Sequence, residues 1–309
     1  MKLKQLYLKI YPKLNYFIKI PLIKYRLNEY KHKIIKESIL HDFHSIISKY
    51  KKLNFNDLIY NEYDQSPIWI FWWQGLENMP EIVKICYASI LKNANKHPIH
   101  LITKDNISEY TNNSLWNNTT FEWLNNGNID LAYFSDILRM YLLYIYGGFW
   151  IDSTILLIQP LDTFIPHKIS FYSGKRLNMS NNYFVPKGKW TSFFIYAKPQ
   201  NLLTKFIYDI LLEEIYKNGK KRDYFMIDYC FVTAYEQFPY VTNLIKKIPT
   251  VPNNISSLIP LLNNPFNKKE FTQITKNNPF FKLTYKEEYK ESDSNKNDTY
   301  FKYLKNKYL

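Results

Sequence analysis

The sequence YFSDILRMYLLYIYGGFWIDST, residues Tyr133–Thr154, joins a helix, a glycine turn, a short strand and a carboxylate, and the rest of the fold is inferred outward from it. From Ala132 to Tyr146 there is no proline or glycine, and apolar residues recur at helical spacing. Gly147-Gly148 predicts a left-handed end to this helix. Phe149–Ile151 is then expected to be a buried strand, with Asp152 directly after its carboxyl end.

The predicted helix carries one polar stripe on an otherwise apolar, and therefore buried, surface. Asp136 and Arg139 are three residues apart, so they share a face and are expected to pair, with Ser135 at the rim. Such a pair is either a structural salt bridge or part of a ligand site, because perturbed ion pairs mark both. Asp152 favours a ligand site, since open α/β sheets bind their ligands at the carboxyl ends of the strands.

Ser135-Asp136-x-x-Arg139 followed by Gly147-Gly148-Phe149-Trp150-Ile151-Asp152 resembles the donor-binding core of glycosyltransferase family 32. It resembles more closely the capsular polysaccharide synthesis proteins of that group, from about Pro67 to near the C-terminus. The resemblance implies a GT-A-like α/β fold, with a Rossmann-like nucleotide-binding sheet flanked by helices. It also implies that Ser135, Asp136 and Arg139 bind the donor sugar and that Asp152 lies at a metal ion and the diphosphate.

The sequence departs from the usual Asp-x-Asp motif, because Thr154 replaces the second carboxylate in Asp152-Ser153-Thr154. Mn²⁺ and Mg²⁺ favour carboxylate and water oxygens. We therefore expect Asp152 and Thr154 to hold a divalent cation together with nucleotide phosphates. Weak metal dependence is the alternative.

Composition limits the class of protein further. The 309 residues are 46% hydrophobic, which favours a globular core, and the net charge of +14 favours anionic partners such as nucleotides, anionic lipid or nucleic acid. Cys86 and Cys230 belong to no metal-binding pattern, so buried free thiols are expected. No apolar run is long enough to predict a membrane span or a signal peptide, so the expected location is the cytoplasm.

Residues 1–65 are predicted to form a basic, amphipathic helical arm. Residues 1–50 hold eleven Lys or Arg against three Asp or Glu, beside regularly spaced apolar residues. Pro12 and Pro21 are expected to interrupt any helix there, and 25–50 to be helical. The arm either lies on the anionic inner face of the cytoplasmic membrane, as a peripheral contact, or packs on the catalytic domain with its lysines solvated. Nucleic acid is not expected, because no DNA- or RNA-binding motif accompanies the lysines.

Residues 66–309 are predicted to form the catalytic domain. A strand at Ile68–Trp73, a helix at Glu81–Asn95 and a strand at Ile99–Thr103 indicate a βαβ unit and a parallel sheet. Trp72 and Trp73 end the first strand, where they either fill the core or stack on a nucleotide base. The resemblance implies that Trp72 stacks on uracil, with Trp73 as the alternative and Gln74 in the same nucleotide site.

The second half of the chain adds three further expectations. Residues 170–199, rich in turns and aromatics, are interpreted as a β-rich insert that faces the acceptor. Asp228 is a lone acid in the apolar helix predicted at Asp223–Phe238. It either hydrogen-bonds a tyrosine or backbone amide or contacts an acceptor hydroxyl or donor sugar, which the resemblance favours. Lys282 and Lys286, in an alternating segment, either neutralise the leaving diphosphate or are simply solvated.

Together these features predict a glycosyltransferase, and the resemblance implies that it is of the hexosyltransferase type and retains the anomeric configuration. It would move a sugar from a nucleotide-sugar, expected to be a UDP-sugar, to a glycan or lipid-linked glycan of capsular polysaccharide or lipopolysaccharide synthesis. One alternative is a sugar-1-phosphate transferase on similar parts. The other is a non-catalytic module that binds a membrane surface or nucleic acid through the basic arm.

Overall fold

A mixed, five-stranded sheet lies at the centre of the computed structural model, which describes residues 2–53, 65–166, 169–176, 182–252 and 254–309. Within that part of the chain the strands are β1 (Ile68–Phe71), β2 (Ile99–Ile102), β3 (Gly148–Ile151), β4 (Ile155–Leu157), β5 (Phe171–Ser173), β6 (Lys175–Arg176), β7 (Phe194–Ala197), β8 (Thr250–Val251) and β9 (Phe280–Lys282). The central sheet has the order β2-β1-β3-β7-β5. The predicted fold class, an α/β sheet flanked by helices and preceded by a helical extension, is confirmed.

Parallel pairing of β1 with both β2 and β3 brings the carboxyl ends of these three strands to one edge of the sheet. Ile68 of β1 lies opposite Ile99 on one side and Phe149 on the other. β7 runs antiparallel to β3, and β5 antiparallel to β7. Outside this sheet, β4 pairs antiparallel with β9 and β6 pairs parallel with β8.

Helices flank the sheet, and in the described part of the chain three of them precede its first strand. They are α1 (Lys2–Phe17), α2 (Pro21–Asp42), α3 (His44–Lys51), α4 (Glu81–Asn93), α5 (Ile107–Tyr110), α6 (Thr119–Asn125), α7 (Leu131–Ile145), α8 (Leu202–Asn218), α9 (Met226–Gln237), α10 (Pro239–Lys247), α11 (Lys268–Thr275) and α12 (Tyr300–Tyr308). The helix predicted from the opening motif is α7, and most of its residues are buried. Cys86 and Cys230 are buried free thiols, as predicted.

The turn between α7 and β3 requires both of its glycines. Gly147 has φ +67° and ends the helix, as predicted, while Gly148 has φ +95° and starts the strand. A Cβ at Gly147 would lie 2.5 Å from Pro199, and one at Gly148 would lie 2.2 Å from the Pro67 carbonyl oxygen. That carbonyl accepts the Phe149 N–H at 2.8 Å, so the close approach joins β3 to β1.

The expectation that Pro12 interrupts the N-terminal helix is wrong, because α1 continues through it. A proline removes one backbone hydrogen bond, and α1 has compensating contacts with α2. The Tyr7 hydroxyl donates to the Leu27 carbonyl at 2.7 Å, and the buried Tyr11 hydroxyl donates to Asn28 at 2.6 Å. Pro21 occupies the first turn of α2, where its missing N–H costs nothing.

The helices α2 and α3 belong to the main core. Ile39, Phe43 and Ile47 are almost completely buried there, beside the side chains of α8 and α9. The buried Lys31 ammonium lies 2.7 Å from Asp223, and the Tyr50 hydroxyl donates to Asp209 at 2.7 Å. The predicted boundary at residue 65 adjoins residues 54–64, which lie outside the described part of the chain, and it stays a prediction.

The expected β-rich insert at 170–199 is instead part of the central sheet, where the described residues supply β5 and β7. The segment is β-rich, as predicted, but β5 pairs with β7 within it and β7 pairs with β3, so it belongs to the sheet and is not an insert. In the described ranges, no helix combines the length and the apolar character needed to cross a membrane.

Candidate active site

A cavity of about 730 Å³ opens at the carboxyl edge of β1 and β3. It collects side chains from α7, from the turn after β3, from the segment after β1, and from α9 and β9. All but one of the predicted site residues line it: Trp72, Trp73, Gln74, Ser135, Asp136, Arg139, Asp152, Thr154, Asp228 and Lys282. Lys286 is exposed and is not among the lining residues.

Arg139 lies at the centre of the site and connects two carboxylates. Its guanidinium is 3.2 Å from Asp136 and 3.3 Å from Asp152, so the predicted pair on α7 is present and extends to the turn after β3. The same guanidinium packs over the Trp150 ring at 4.8 Å. The Trp150 indole N–H donates to Asp152 at 2.8 Å, which fixes that carboxylate against the base of the cavity.

Lys282 completes this network from the far end of the chain. Its ammonium donates to Asp152 Oδ2 and to Thr154 Oγ1, both at 2.7 Å. The network thus runs without a break through Asp136, Arg139, Asp152, Lys282 and Thr154. It joins residues from α7, the β3–β4 turn and β9.

The two carboxylates beside Arg139 titrate in opposite directions. Burial raises the pKa of Asp136 to about 7, against the attraction of Arg139. Burial also disfavours the charged form of Asp152. Lys282 and Arg139 outweigh that effect, and the pKa of Asp152 lies below its ordinary value. The site therefore keeps Asp152 charged and leaves Asp136 near its midpoint at neutral pH.

Asp228 has a hydrogen-bond partner that was not among those predicted. The Trp190 indole N–H donates to its Oδ1 at 3.0 Å, rather than a tyrosine or a backbone amide. Its side chain is buried, and burial raises its pKa to about 6 despite that hydrogen bond. Asp228 also lines the cavity, so one side chain both contacts Trp190 and borders the space for a ligand.

Aromatic side chains form one wall of the cavity. Trp72 meets Tyr285 edge to face, with ring centroids 5.3 Å apart. Trp73 packs on Phe134 of α7 at 5.6 Å. The Trp72 indole N–H is buried and has no hydrogen-bond partner among the residues the structure describes. Trp72 therefore lines the side of the cavity nearest β1, with its indole N–H buried.

The cavity also contains functional candidates that sequence analysis missed. Arg176 and Lys221 line it, as do Trp150, Trp190, Tyr224 and Tyr285. Together with Arg139 and Lys282, the cations outnumber the carboxylates of the lining. Nothing in the local sequence marked Arg176 or Lys221, because isolated basic residues are common in a chain with 41 Lys and Arg.

The side chains around Asp152 and Thr154 differ from those of a divalent-cation site. In the described ranges no group of three or more His, Cys, Asp or Glu comes together to bind a metal. Both oxygens of Asp152 and the hydroxyl of Thr154 already accept hydrogen bonds, two of them from Lys282. In this arrangement the residues do not fit a divalent ion unless Lys282 moves away.

The family of the chain is established by sequence. A family model described as capsular polysaccharide synthesis protein matches residues 15–304, which is nearly the whole chain. This family and the site together define a glycosyltransferase that acts in capsular polysaccharide synthesis. The chain belongs to the capsular polysaccharide synthesis protein family.

Two solved glycosyltransferase structures are similar to the chain at low identity. The PaToxG glycosyltransferase is 15% identical with a TM-score of 0.45, covering 69% of this chain and 83% of its own. The bifunctional glycosyltransferase WbbM, in its apo form, is 12% identical with a TM-score of 0.43, covering 81% of this chain and 50% of its own. No curated protein matches the chain significantly. Likenesses at this level transfer no residue roles.

Proposed function

We propose that the protein transfers a sugar from a UDP-sugar, through a GT-A-like site, to a hydroxyl of a capsular glycan or its lipid-linked precursor, with retention of the anomeric configuration. The observation that carries the proposal is the pairing of Arg139 and Lys282 with Asp152 inside the cavity. Two cations fixed at the carboxyl edge of parallel strands suit a diphosphate, which is where α/β sheets bind such groups.

The remaining lining residues have a role in this proposal that follows from their chemistry. Trp72, which lines the cavity and meets Tyr285 edge to face, stacks on the base. Asp136 and Asp228 accept hydrogen bonds from hydroxyls of the transferred sugar, and Ser135 lies beside them at the rim. Because burial raises the pKa of both groups, each takes up a proton more readily than a free carboxylate and, when protonated, can also donate a hydrogen bond to a sugar hydroxyl.

In this proposal the site lowers the activation free energy through positive charges that are held in fixed positions. When the bond between sugar and diphosphate breaks, negative charge accumulates on the departing phosphate oxygen. Arg139 and Lys282 meet that charge in positions that Asp152 holds, so little reorganisation is needed during the reaction. The carboxylates do not supply an identified nucleophile, and the proposal therefore assigns no covalent sugar–enzyme intermediate.

Asp152→Asn tests the assignment directly. The variant keeps an oxygen for Trp150 but loses the charge that positions Arg139 and Lys282. We expect the transfer rate to fall by about 10²–10³, as when other electrostatic contacts to a transition state are removed, at a temperature at which the variant stays folded. Transfer should be measured with a panel of UDP-, GDP- and CDP-sugars and isolated capsular oligosaccharide. Near-normal turnover by the variant would show that the site is elsewhere.

The products of the same assay discriminate among mechanisms. A glycosyltransferase releases the nucleoside diphosphate, whereas a sugar-1-phosphate transferase releases the monophosphate. Phosphorus NMR of the reaction mixture separates the two, and proton NMR of the glycan gives the anomeric configuration of the new linkage. Release of the monophosphate would favour the alternative enzyme, and inversion would contradict the retaining mechanism.

We also propose that the N-terminal helices hold the enzyme at an anionic membrane surface. Residues 1–28 contain seven Lys or Arg and no Asp or Glu. Leu3, Tyr16, Phe17, Ile20 and Leu22 all expose more than half of their side chains there. Exposed apolar side chains among exposed lysines are what an interfacial segment needs, and each lysine near anionic lipid contributes about 1 kcal/mol.

Vesicle sedimentation with the full chain tests this surface. We expect binding to vesicles containing phosphatidylglycerol and much weaker binding to pure phosphatidylcholine. The double variant Phe17→Ser, Leu22→Ser should bind the anionic vesicles about tenfold more weakly. The matched variant Leu91→Ser, Leu115→Ser, at exposed leucines elsewhere, should bind normally. Equal binding by all three proteins would contradict the proposal.

A further inference from the structure

We propose that Lys282 takes the place of the divalent cation, so that the protein binds and uses its nucleotide diphosphate without a metal ion. This inference rests on the proposed function. It also departs from the expectation that Asp152 and Thr154 hold Mn²⁺ or Mg²⁺. The ammonium of Lys282 lies 2.7 Å from both of the oxygens that were expected to bind that ion.

The ammonium makes contacts like those of a bound cation. A lysine ammonium has three N–H donors, and Asp152 Oδ2 and Thr154 Oγ1 use two of them. Lys282 lines the cavity, so a phosphate oxygen that enters can accept the third. The ring of Phe193, 5.1 Å from the ammonium, covers another side of the charge.

The backbone holds Lys282 in this position. In the register of β4 with β9, Lys282 lies opposite Ile155, the residue after Thr154. The Lys282 N–H donates to the Ile255 carbonyl at 2.8 Å, and the Leu283 N–H donates to the Thr154 carbonyl at 2.9 Å. Lys282 and Thr154 are therefore tied to each other by the sheet as well as by their side chains.

The surroundings of Asp152 disfavour a divalent ion in addition to Arg139 and Lys282. Oδ1 accepts from Arg139 and Trp150, and Oδ2 accepts from Lys282. A divalent ion would have to displace the ammonium or lie between it and the guanidinium, where both repel it. The hydroxyl of Thr154, in place of the second carboxylate of the usual motif, supplies no charge to offset that repulsion.

Nucleotide binding tests the inference first. Isothermal titration with UDP, GDP, CDP and ADP should be run in EDTA and again with Mn²⁺. We expect the preferred nucleotide to bind in EDTA, with a dissociation constant that Mn²⁺ changes by less than about twofold. Lys282→Met should weaken binding in EDTA by about tenfold or more. The matched variant Lys269→Met, at an exposed lysine of α11 that does not line the cavity, should bind as the wild type does.

Manganese binding to the protein alone is the second measurement, and it does not depend on any nucleotide. Electron paramagnetic resonance of free Mn²⁺ should show no binding to the wild type or to Lys269→Met. Lys282→Met removes the competing charge and should bind Mn²⁺ measurably. Binding of Mn²⁺ to the wild type that is as tight as to Lys282→Met would overturn the inference.

Asp152→Asn also distinguishes nucleotide binding by Lys282 from nucleotide binding through a metal ion. If Lys282 provides the charge, the variant loses the carboxylate that positions the two cations, and its weaker nucleotide binding is the same in EDTA and in Mn²⁺. If a metal provides the charge, nucleotide binding needs Mn²⁺ in the wild type and is lost in the variant, which would overturn the inference. Failure of every nucleotide to bind in both conditions would instead contradict the proposed function, and the inference with it.

Discussion

At the scale of single residues, Arg139 is the contact on which the site depends. It neutralises two acids that belong to different elements, Asp136 of α7 and Asp152 of the turn after β3. Without Arg139, two carboxylates would remain in a desolvated cavity with one cation fewer, which would lower the free energy of unfolding. Asp136 avoids part of that cost because burial already raises its pKa to about 7, so protonation is within reach.

Arg139→Met should therefore destabilise the fold in a way that depends on pH. Removing one partner from a buried ion pair costs about 3–5 kcal/mol, and the cost should be smaller at about pH 6, where Asp136 is largely protonated, than at about pH 8. Urea unfolding at both pH values measures the difference. Arg26→Met, at an exposed arginine, is the control. A loss that is the same at both pH values would contradict the role given to Asp136.

Asp228→Asn should stabilise the protein at alkaline pH. Burial raises the pKa of Asp228 to about 6, so the unfolded chain loses this proton at lower pH than the folded one. The stability that protonation provides is complete at low pH and is lost as the pH rises through about 6, a cost of roughly 2–3 kcal/mol.

Asparagine has no such titration, and it keeps an oxygen for the Trp190 indole N–H. The melting temperature of Asp228→Asn relative to wild type should thus increase from about pH 4.5 to about pH 8. Asp105→Asn, at an exposed acid, provides the comparison. A difference between variant and wild type that stays constant with pH would show that Asp228 is not desolvated in solution.

At the scale of elements, local signals predicted α7, the glycine turn and β3 well. The signals lie close together, between residues 131 and 151: an apolar helix without breakers, two glycines with positive φ, and a short apolar run. The same local pattern pointed to Asp136, Arg139 and Asp152 as one site, and the three side chains are in contact through Arg139. The Lys282 contact with Asp152 spans 130 residues, and no local pattern contains that information.

Elements whose partners are distant were predicted less well. Residues 170–199 show many turn residues, yet β5 and β7 pair with each other and β7 with β3. Pro12 suggested a break in α1, but contacts with α2 outweigh the loss of one hydrogen bond. Asp228 was singled out correctly as unusual, while its partner Trp190 lies in a loop that gave no signal.

Gly148→Ala tests the turn between α7 and β3. Its Cβ would lie 2.2 Å from the Pro67 carbonyl oxygen, and the residue has φ +95°. Gly127→Ala shares the positive φ, at +72°, but no described atom lies within 4 Å of its Cβ. We expect Gly148→Ala to lower the free energy of unfolding by at least about 2 kcal/mol more than Gly127→Ala. Equal effects in chemical denaturation would mean that backbone strain alone acts at Gly148.

At the scale of the whole molecule, the N-terminal helices have two different surroundings. The side chains of α1 and the start of α2 expose apolar groups beside lysines, whereas the rest of α2 and α3 fill the main core. The sequence-based alternatives for the arm, membrane contact and packing on the catalytic domain, therefore apply to different parts of it. Hydrophobic spacing alone does not separate the two, because both parts carry apolar residues at helical intervals.

Alanine substitutions at two phenylalanines test the difference between the exposed and the buried parts of the N-terminal helices. Phe43 is completely buried beneath Lys217 and Arg222, whereas Phe17 exposes 73% of its side chain. Phe43→Ala should lower the free energy of unfolding by about 3–5 kcal/mol, and Phe17→Ala by no more than about 0.5 kcal/mol. Urea unfolding in the absence of lipid gives both values. A small effect at Phe43 would mean that α2 and α3 do not share the core.

The long separation between Asp152 and Lys282 also affects the order in which the protein is completed during synthesis. The ribosome makes α7, the glycine turn and Asp152 about 130 residues before it makes the lysine that pairs with that carboxylate. Until β9 has been made, the nascent chain contains Asp152 and Arg139 but not Lys282. On the proposal that Lys282 binds the nucleotide diphosphate, a chain that stops before β9 therefore lacks one of the two cations beside Asp152.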